Sequence, residues 1–115
     1  MSFILRWLRG SAKKPVGLRP HRDVEIAGDY DTVYGRVLEA IEVEIGANIS
    51  FDDRRDGTIE AAFGLVNNER IRCTVYRIDD ARTGVRIEAM YPAGVEIPQY
   101  SRAVDALAEG LSRPI

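Results

Sequence analysis

The chain has 115 residues, 45% hydrophobic and 30% charged, the proportions of one globular domain with its own core. Its net charge of −2 hides a split: residues 1–22 hold six basic residues and no acid, while residues 23–115 hold ten basic residues against all eighteen acids. A body at −8 suits a phosphate backbone poorly, and a single cysteine allows no internal disulfide and fits a reducing compartment.

The chain opens with MSFILRWLRGSAKK. Projected as a helix at about 100° per residue, Phe3, Ile4, Leu5, Trp7 and Leu8 form one continuous apolar arc and Arg6 and Arg9 fill the remainder. Lys13 and Lys14 add to the basic side. Such an arc fits a membrane interface or an apolar groove on a partner protein. A helix this short is frayed when free, because burial and ordering nearly cancel. Each cation brought close to an anionic surface adds about 1 kcal/mol. The third expectation is that residues 3–8 fold back on their own domain or on a dimer mate. Arg6 and Arg9 interrupt the apolar run, which makes a poor secretory signal, and no run approaches a membrane span. Ser2 stands where N-myristoylation needs glycine. These features point to the cytoplasm, with peripheral contact at the inner membrane. GSAKKPVGLRPH reads as an extended linker, so residues 1–21 form a basic amphipathic arm and linker and residues 22–115 the domain.

DVEIA alternates as a short strand. GDYDTVYGRVLEAIEVEIG is the clearest helix, with Asp29 or Asp31 as N-cap and Gly46 ending it. Its stripe is Val33, Val37, Ala40 or Ile41, and Glu44 or Ile45, widened by Tyr34 and Leu38. Four strands follow, NISF, TIEAAFGLV, RIRCTVYRI and VRIEAMY, separated by turns at DDRRDG, NNE and DDARTG. Pro98 suits the first turn of a last helix with the stripe Tyr100, Val104, Leu107 and Leu111. Matching like residues across the turns predicts the rows Ile59–Val75–Ile87, Ala61–Cys73–Ala89 and Phe63–Ile71–Tyr91, with Ile49 and Phe51 on the same apolar face. The other face reads Glu60–Thr74–Glu88 and Ala62–Arg72–Met90, with Tyr76 beside Arg86. One apolar and one mixed face predict an α+β two-layer sandwich, β-α-β-β-β-β-α, whose curved antiparallel sheet carries both helices on one face.

This order resembles the helix-grip and TATA-binding-protein-like folds. The stretch DYDTVYGRVLEAIEVEIGANISFDDRRDGTIEA is similar to small bacterial domains of unknown function, some of them lipoproteins. They share the aromatic-Asp-x-Val-Tyr helix start, the glycine before the second strand and the Gly-Thr-Ile opening the third. The resemblance spans about residues 23–91 and implies a fold, with no catalytic residue. The chain lacks the N-terminal cysteine that the lipoproteins modify, so their envelope location does not carry over.

Cys73 falls on the core face between alanines, where a thiol acts as a small hydrophobe, and His21 sits in the linker away from it. One histidine and one cysteine make none of the usual zinc sets. Asp52, Asp56 and Gly57 match calcium-loop positions one, five and six, but Arg54 and Phe63 occupy positions three and twelve, so a hairpin turn is expected and no metal or cofactor is implied. The remaining acids lie on turns and exposed faces, and no phosphate loop or nucleophile elbow is present. An enzyme is unsupported. Arg70, Arg72, Arg86 and Tyr76 share the open sheet face, yet Glu60 and Glu88 lie diagonal to Arg72, an ion-pair lattice that argues against nucleic acid. Ala62, Val66, Arg72, Tyr76, Ile78, Arg86 and Met90 form a candidate self-association face. The leading expectation is a non-enzymatic binding or adaptor protein that docks on a partner protein or anionic membrane surface through Phe3, Ile4, Leu5, Arg6, Trp7, Leu8, Arg9, Lys13 and Lys14. The alternatives are a small-molecule binder or enzyme with a site between sheet and helices, and a self-assembling structural component.

Overall fold

The computed structural model describes residues 20–63, 69–92, 94 and 96–113. Seven elements follow in the expected order: β1 (His21–Ala27), α1 (Tyr30–Glu44), β2 (Asn48–Asp53), β3 (Thr58–Ala62), β4 (Arg70–Arg77), β5 (Arg82–Met90) and α2 (Arg102–Ser112). They form an α+β sandwich with one antiparallel sheet in the order β1-β5-β4-β3-β2. Strands β2 to β5 are a meander, whereas β1 pairs with the far edge. Helix α1 makes that possible. Its 15 residues span about 22 Å at 1.5 Å each, close to the roughly 19 Å between the outer strands of a five-stranded sheet. One helix thus carries the chain from the β1 edge to the β2 edge, and Val33, Tyr34, Val37, Ala40 and Ile41 are buried along it.

The helix ends are made by local chemistry. Asp29 is the N-cap of α1: the Thr32 amide donates to its carboxylate at 2.8 Å. Gly46 takes φ +64° just past the end, and the Ala47 amide returns to the Ile41 carbonyl at 3.1 Å. At α2 the start differs from expectation. Pro98 precedes the helix, and Tyr100, expected in the apolar stripe, lies outside it and is 73% exposed. Ser101 supplies the cap instead, its buried hydroxyl accepting the Val104 amide at 3.2 Å, and the buried stripe is Val104, Leu107, Ala108 and Leu111.

The strand register departs from the predicted rows by two residues at both hairpins. Ile59 faces Cys73 and Cys73 faces Ile87; Ala61 faces Ile71 and Ile71 faces Ala89; Val75 faces Val85. An even shift leaves every side chain on its expected face. The β4–β5 turn sets this register: the Ile78 and Asp79 amides both donate to the Arg82 carbonyl at 3.1 Å, and the Asp79 carboxylate accepts the Ala81 amide at 2.8 Å. Phe63 and Tyr91 lie beyond the strand ends and pack against the core from there. On the open face, Glu60, Arg72 and Glu88 become direct neighbours, and Tyr76 faces Gly84 rather than Arg86.

One expectation fails outright. Phe51 does not join Ile49 on the apolar face. Ile49 pairs with Ala61 but Phe51 pairs with Glu60, so Ser50 is an extra residue in a β-bulge. Its hydroxyl donates to the Glu60 carbonyl at 3.2 Å. The bulge reverses the alternation and leaves Phe51 on the open face, 51% exposed.

Gly57 closes the β2–β3 turn at φ +81°, with its amide donating to the Asp53 carbonyl at 2.8 Å and its carbonyl accepting the Val75 amide at 2.7 Å. A Cβ there would stand 2.2 Å from the Val75 carbonyl oxygen. Gly57→Ala meets both a backbone clash and the left-handed penalty, and should lose about 2 kcal/mol or more in urea unfolding. Gly46→Ala, with nothing near its Cβ, should lose less.

Candidate functional site

The described residues of the inner face pack directly against the helices. Ile59, Ile71, Cys73, Val85, Ile87 and Ala89 meet Val37, Ile41, Val104 and Leu107 there, all of them buried. Cys73 is sealed among them and burial pushes its thiol up to about 12. His21 opens β1, opposite Glu88. Among the described residues, no group of three His, Cys, Asp or Glu side chains is placed to hold a metal. The carboxylates of the DDRRDG turn are engaged locally. Asp52 accepts from the Tyr34 hydroxyl at 3.1 Å, Asp53 from the Arg55 and Asp56 amides, and Asp56 from the Thr58 hydroxyl. Arg54 stacks 4.6 Å over the Tyr34 ring and reaches Asp31 at 3.3 Å, while Tyr30 donates to the Arg54 carbonyl at 2.6 Å. Burial and the bond to Asp52 raise the Tyr34 phenol above its ordinary value.

The open face carries the accessible chemistry. Arg72 donates to Glu60 at 3.0 Å, Arg86 lies 3.4 Å from Asp23 and 3.5 Å from Glu88, and Arg82 bridges Glu25 at 3.2 Å and Asp79 at 2.9 Å. Exposed pairs of this kind add little stability, about 0–1 kcal/mol each. Their effect is electrostatic: the arginines of the face are neutralised where they stand. Arg70 differs, for no carboxylate among the described residues pairs with it. Tyr76 lies flat across β5, and a Cβ on Gly84 would come within 2.3 Å of its ring. Glycine at that position is what lets the ring lie down. Phe51 and Tyr76 are the large exposed aromatic groups of this face.

Among the described residues, recesses open at three places on the surface. One of about 350 Å³ lies where β4 begins and β5 ends, lined by Glu60, Arg70, Ile71, Arg72, Met90, Tyr91 and Pro92. A second, about 320 Å³, runs between the helices beside the exposed Val43, and a third, about 330 Å³, lies between the end of β1 and the end of α2. Arg36 lines both of these, but its guanidinium is committed. It donates to the Gly110 carbonyl at 3.3 Å and the Arg113 carbonyl at 2.6 Å, placing a cation on the carbonyl end of α2. Arg113 in turn pairs with Glu44 at 2.9 Å.

Of the residues read from sequence as a self-association face, Ala62, Arg72, Tyr76, Arg86 and Met90 share the open face; Ile78 sits in the β4–β5 turn, half-buried. Val66 and the whole docking set Phe3, Ile4, Leu5, Arg6, Trp7, Leu8, Arg9, Lys13 and Lys14 lie outside the described residues. Sequence reasoning did not find the capping role of Arg36, the Ser50 bulge or the recess at Met90 and Tyr91. A basic residue at helical spacing is visible in a sequence; the neighbouring helix end it reaches is not.

The sealed thiol gives a direct test. Ellman's reagent should modify Cys73 only as fast as the chain unfolds at pH 8, and at once in denaturant. The thiol ionises near 9.0 when unfolded and about 12 when folded. Stability should therefore be complete below pH 9 and fall as pH rises toward 12, with Tyr34 and Tyr91 acting in the same direction. Cys73→Ala should flatten the thiol's share of that slope.

No family model matches the chain, and no characterised protein does. Among solved structures, a solution NMR structure of a structural-genomics target from Thermobifida fusca is 14% identical, with 80% of this chain and 83% of that chain covered and a TM-score of 0.39. A likeness so slight bears on neither fold nor function.

Proposed function

We propose that this is a non-enzymatic binding or adaptor protein that docks on an anionic surface, of a partner protein or the inner leaflet of a membrane, through its basic amphipathic N-terminal segment. The distribution of charge carries this reading. Arg72, Arg82 and Arg86 are neutralised on the sheet face, and Arg22 pairs with Asp105 at 3.0 Å. Arg6, Arg9, Lys13, Lys14 and Arg19 fall in a stretch of sequence, residues 1–22, that holds no acid. A cationic stretch bearing Phe3, Trp7 and Leu8 meets the two requirements of interfacial docking, apolar area and attraction to anions. The Ala89 amide donates to the Pro20 carbonyl at 3.0 Å, so the segment joins the domain beside the last residues of β5. No described helix is long and apolar enough to cross a membrane, and contact through such a segment is peripheral. The proposed setting is the cytoplasm.

Self-association through the open face is a second reading, favoured by Phe51 and Tyr76 standing exposed among charges that balance one another. Sedimentation velocity of the full chain decides it: one monomeric boundary at all concentrations removes it.

Docking is tested on the full chain with two variants, Trp7→Ala and the double substitution Arg6→Glu with Arg9→Glu. Flotation with vesicles containing anionic lipid, or capture from native extract, should show association that weakens with salt. The charge reversal should abolish it, and Trp7→Ala should weaken it about 10-fold or more. Association that survives both variants would refute the reading.

A further inference from the structure

The recess at the start of β4 is built differently from the rest of the open face. Ala62, Arg70 and Met90 form one cross-strand row and Glu60, Arg72 and Glu88 the next. Arg70 and Met90 of the first row line the recess together with Glu60 and Arg72 of the second. Arg72 is drawn to Glu60 through its Nε at 3.0 Å. Met90, Tyr91 and Pro92 wall the other side. The Tyr91 hydroxyl donates to Glu69, which holds the ring as a wall and engages its polar end. The result is about 350 Å³ of largely apolar space with one guanidinium, Arg70, that no described carboxylate neutralises. This volume lies within the range of small-molecule sites, roughly 300–1,000 Å³.

We infer that this recess is a binding site for a small monoanion, a carboxylate carried on a compact apolar body. The guanidinium of Arg70 offers paired donors that match the two oxygens of a carboxylate, and Met90, Pro92 and the Tyr91 ring receive the apolar part. Charge sets the selectivity. Among the lining residues Arg70 and Arg72 stand against Glu60, and both Glu60 and the Glu69 carboxylate behind Tyr91 repel a second negative charge. A monocarboxylate is therefore preferred to a phosphate dianion. None of the described lining residues belongs to the N-terminal segment, and the inference does not rest on the docking proposed above.

The probe is 4-phenylbutanoate, with its neutral amide as control, titrated into the full chain and followed by NMR. The chain has two methionines, Met1 and Met90, so the Met90 methyl signal is easily assigned. The carboxylate should move the Met90 methyl and the Tyr91 ring signals saturably, with a dissociation constant on the order of 1 mM. The amide should bind roughly 10-fold more weakly, and Arg70→Gln should cost the carboxylate about the same factor while leaving the amide unchanged. Arg70 is exposed, so unchanged signals elsewhere in Arg70→Gln report an intact fold. Glu60→Gln, which removes the rim charge and releases Arg72, should tighten carboxylate binding. An unsaturable response, equal binding of acid and amide, indifference to Arg70→Gln, or weaker binding by Glu60→Gln would each overturn the inference.

Discussion

The crossing of α1 over the sheet is the constraint on which the rest of the molecule depends. A helix of that length brings β1 to one edge and β2 to the other, and β2 to β5 fill the sheet between them as a meander. The inner face must then be apolar along every strand, and α2 has only the strip beside β1 and β5 left to cover. Arg36 locks the arrangement by donating from α1 to the carbonyl end of α2. Tyr34 does the same at the other end, buried beneath the β2–β3 turn and bonded to Asp52.

Because both helices lie on one face, the chemistry of the other is free to differ. Alternate residues there are charged in columns that neutralise one another, and this separates the domain's own electrostatics from those of its first twenty residues. Pairing Arg72, Arg82 and Arg86 with carboxylates leaves this face close to neutral. It also leaves Arg70 conspicuous, since a lone guanidinium stands out only where the others are paired.

Much of this was legible in the sequence, and the failures share a cause. Periodicity fixes which face a residue takes, so the helix stripe, the apolar rows and the burial of Cys73 could all be read. Register could not, because hydrogen bonds in the turns decide it: the Asp79 carboxylate and the Arg82 carbonyl shift the pairing by two residues without altering a single face. Phe51 was misplaced because one inserted residue reverses the alternation, and nothing in NISFDD marks Ser50 as that residue. Tyr100 fits the helical spacing of the stripe, but Ser101 can cap and Tyr100 cannot, so the helix begins after both. The recess at Arg70 was hidden for another reason. It arises where strands of unequal length end, a property of three segments distant in sequence.

An open sheet has two rims of unsatisfied amides and carbonyls, and a flat rim invites another molecule to add a strand without limit. At β2 the bulge twists the backbone out of line, and Asp52 and Asp53 end it in negative charge. A neighbouring copy approaching that rim would meet a broken hydrogen-bond ladder and two carboxylates. The same irregularity that turns Phe51 outward thus makes the β2 rim a poor template for an added strand.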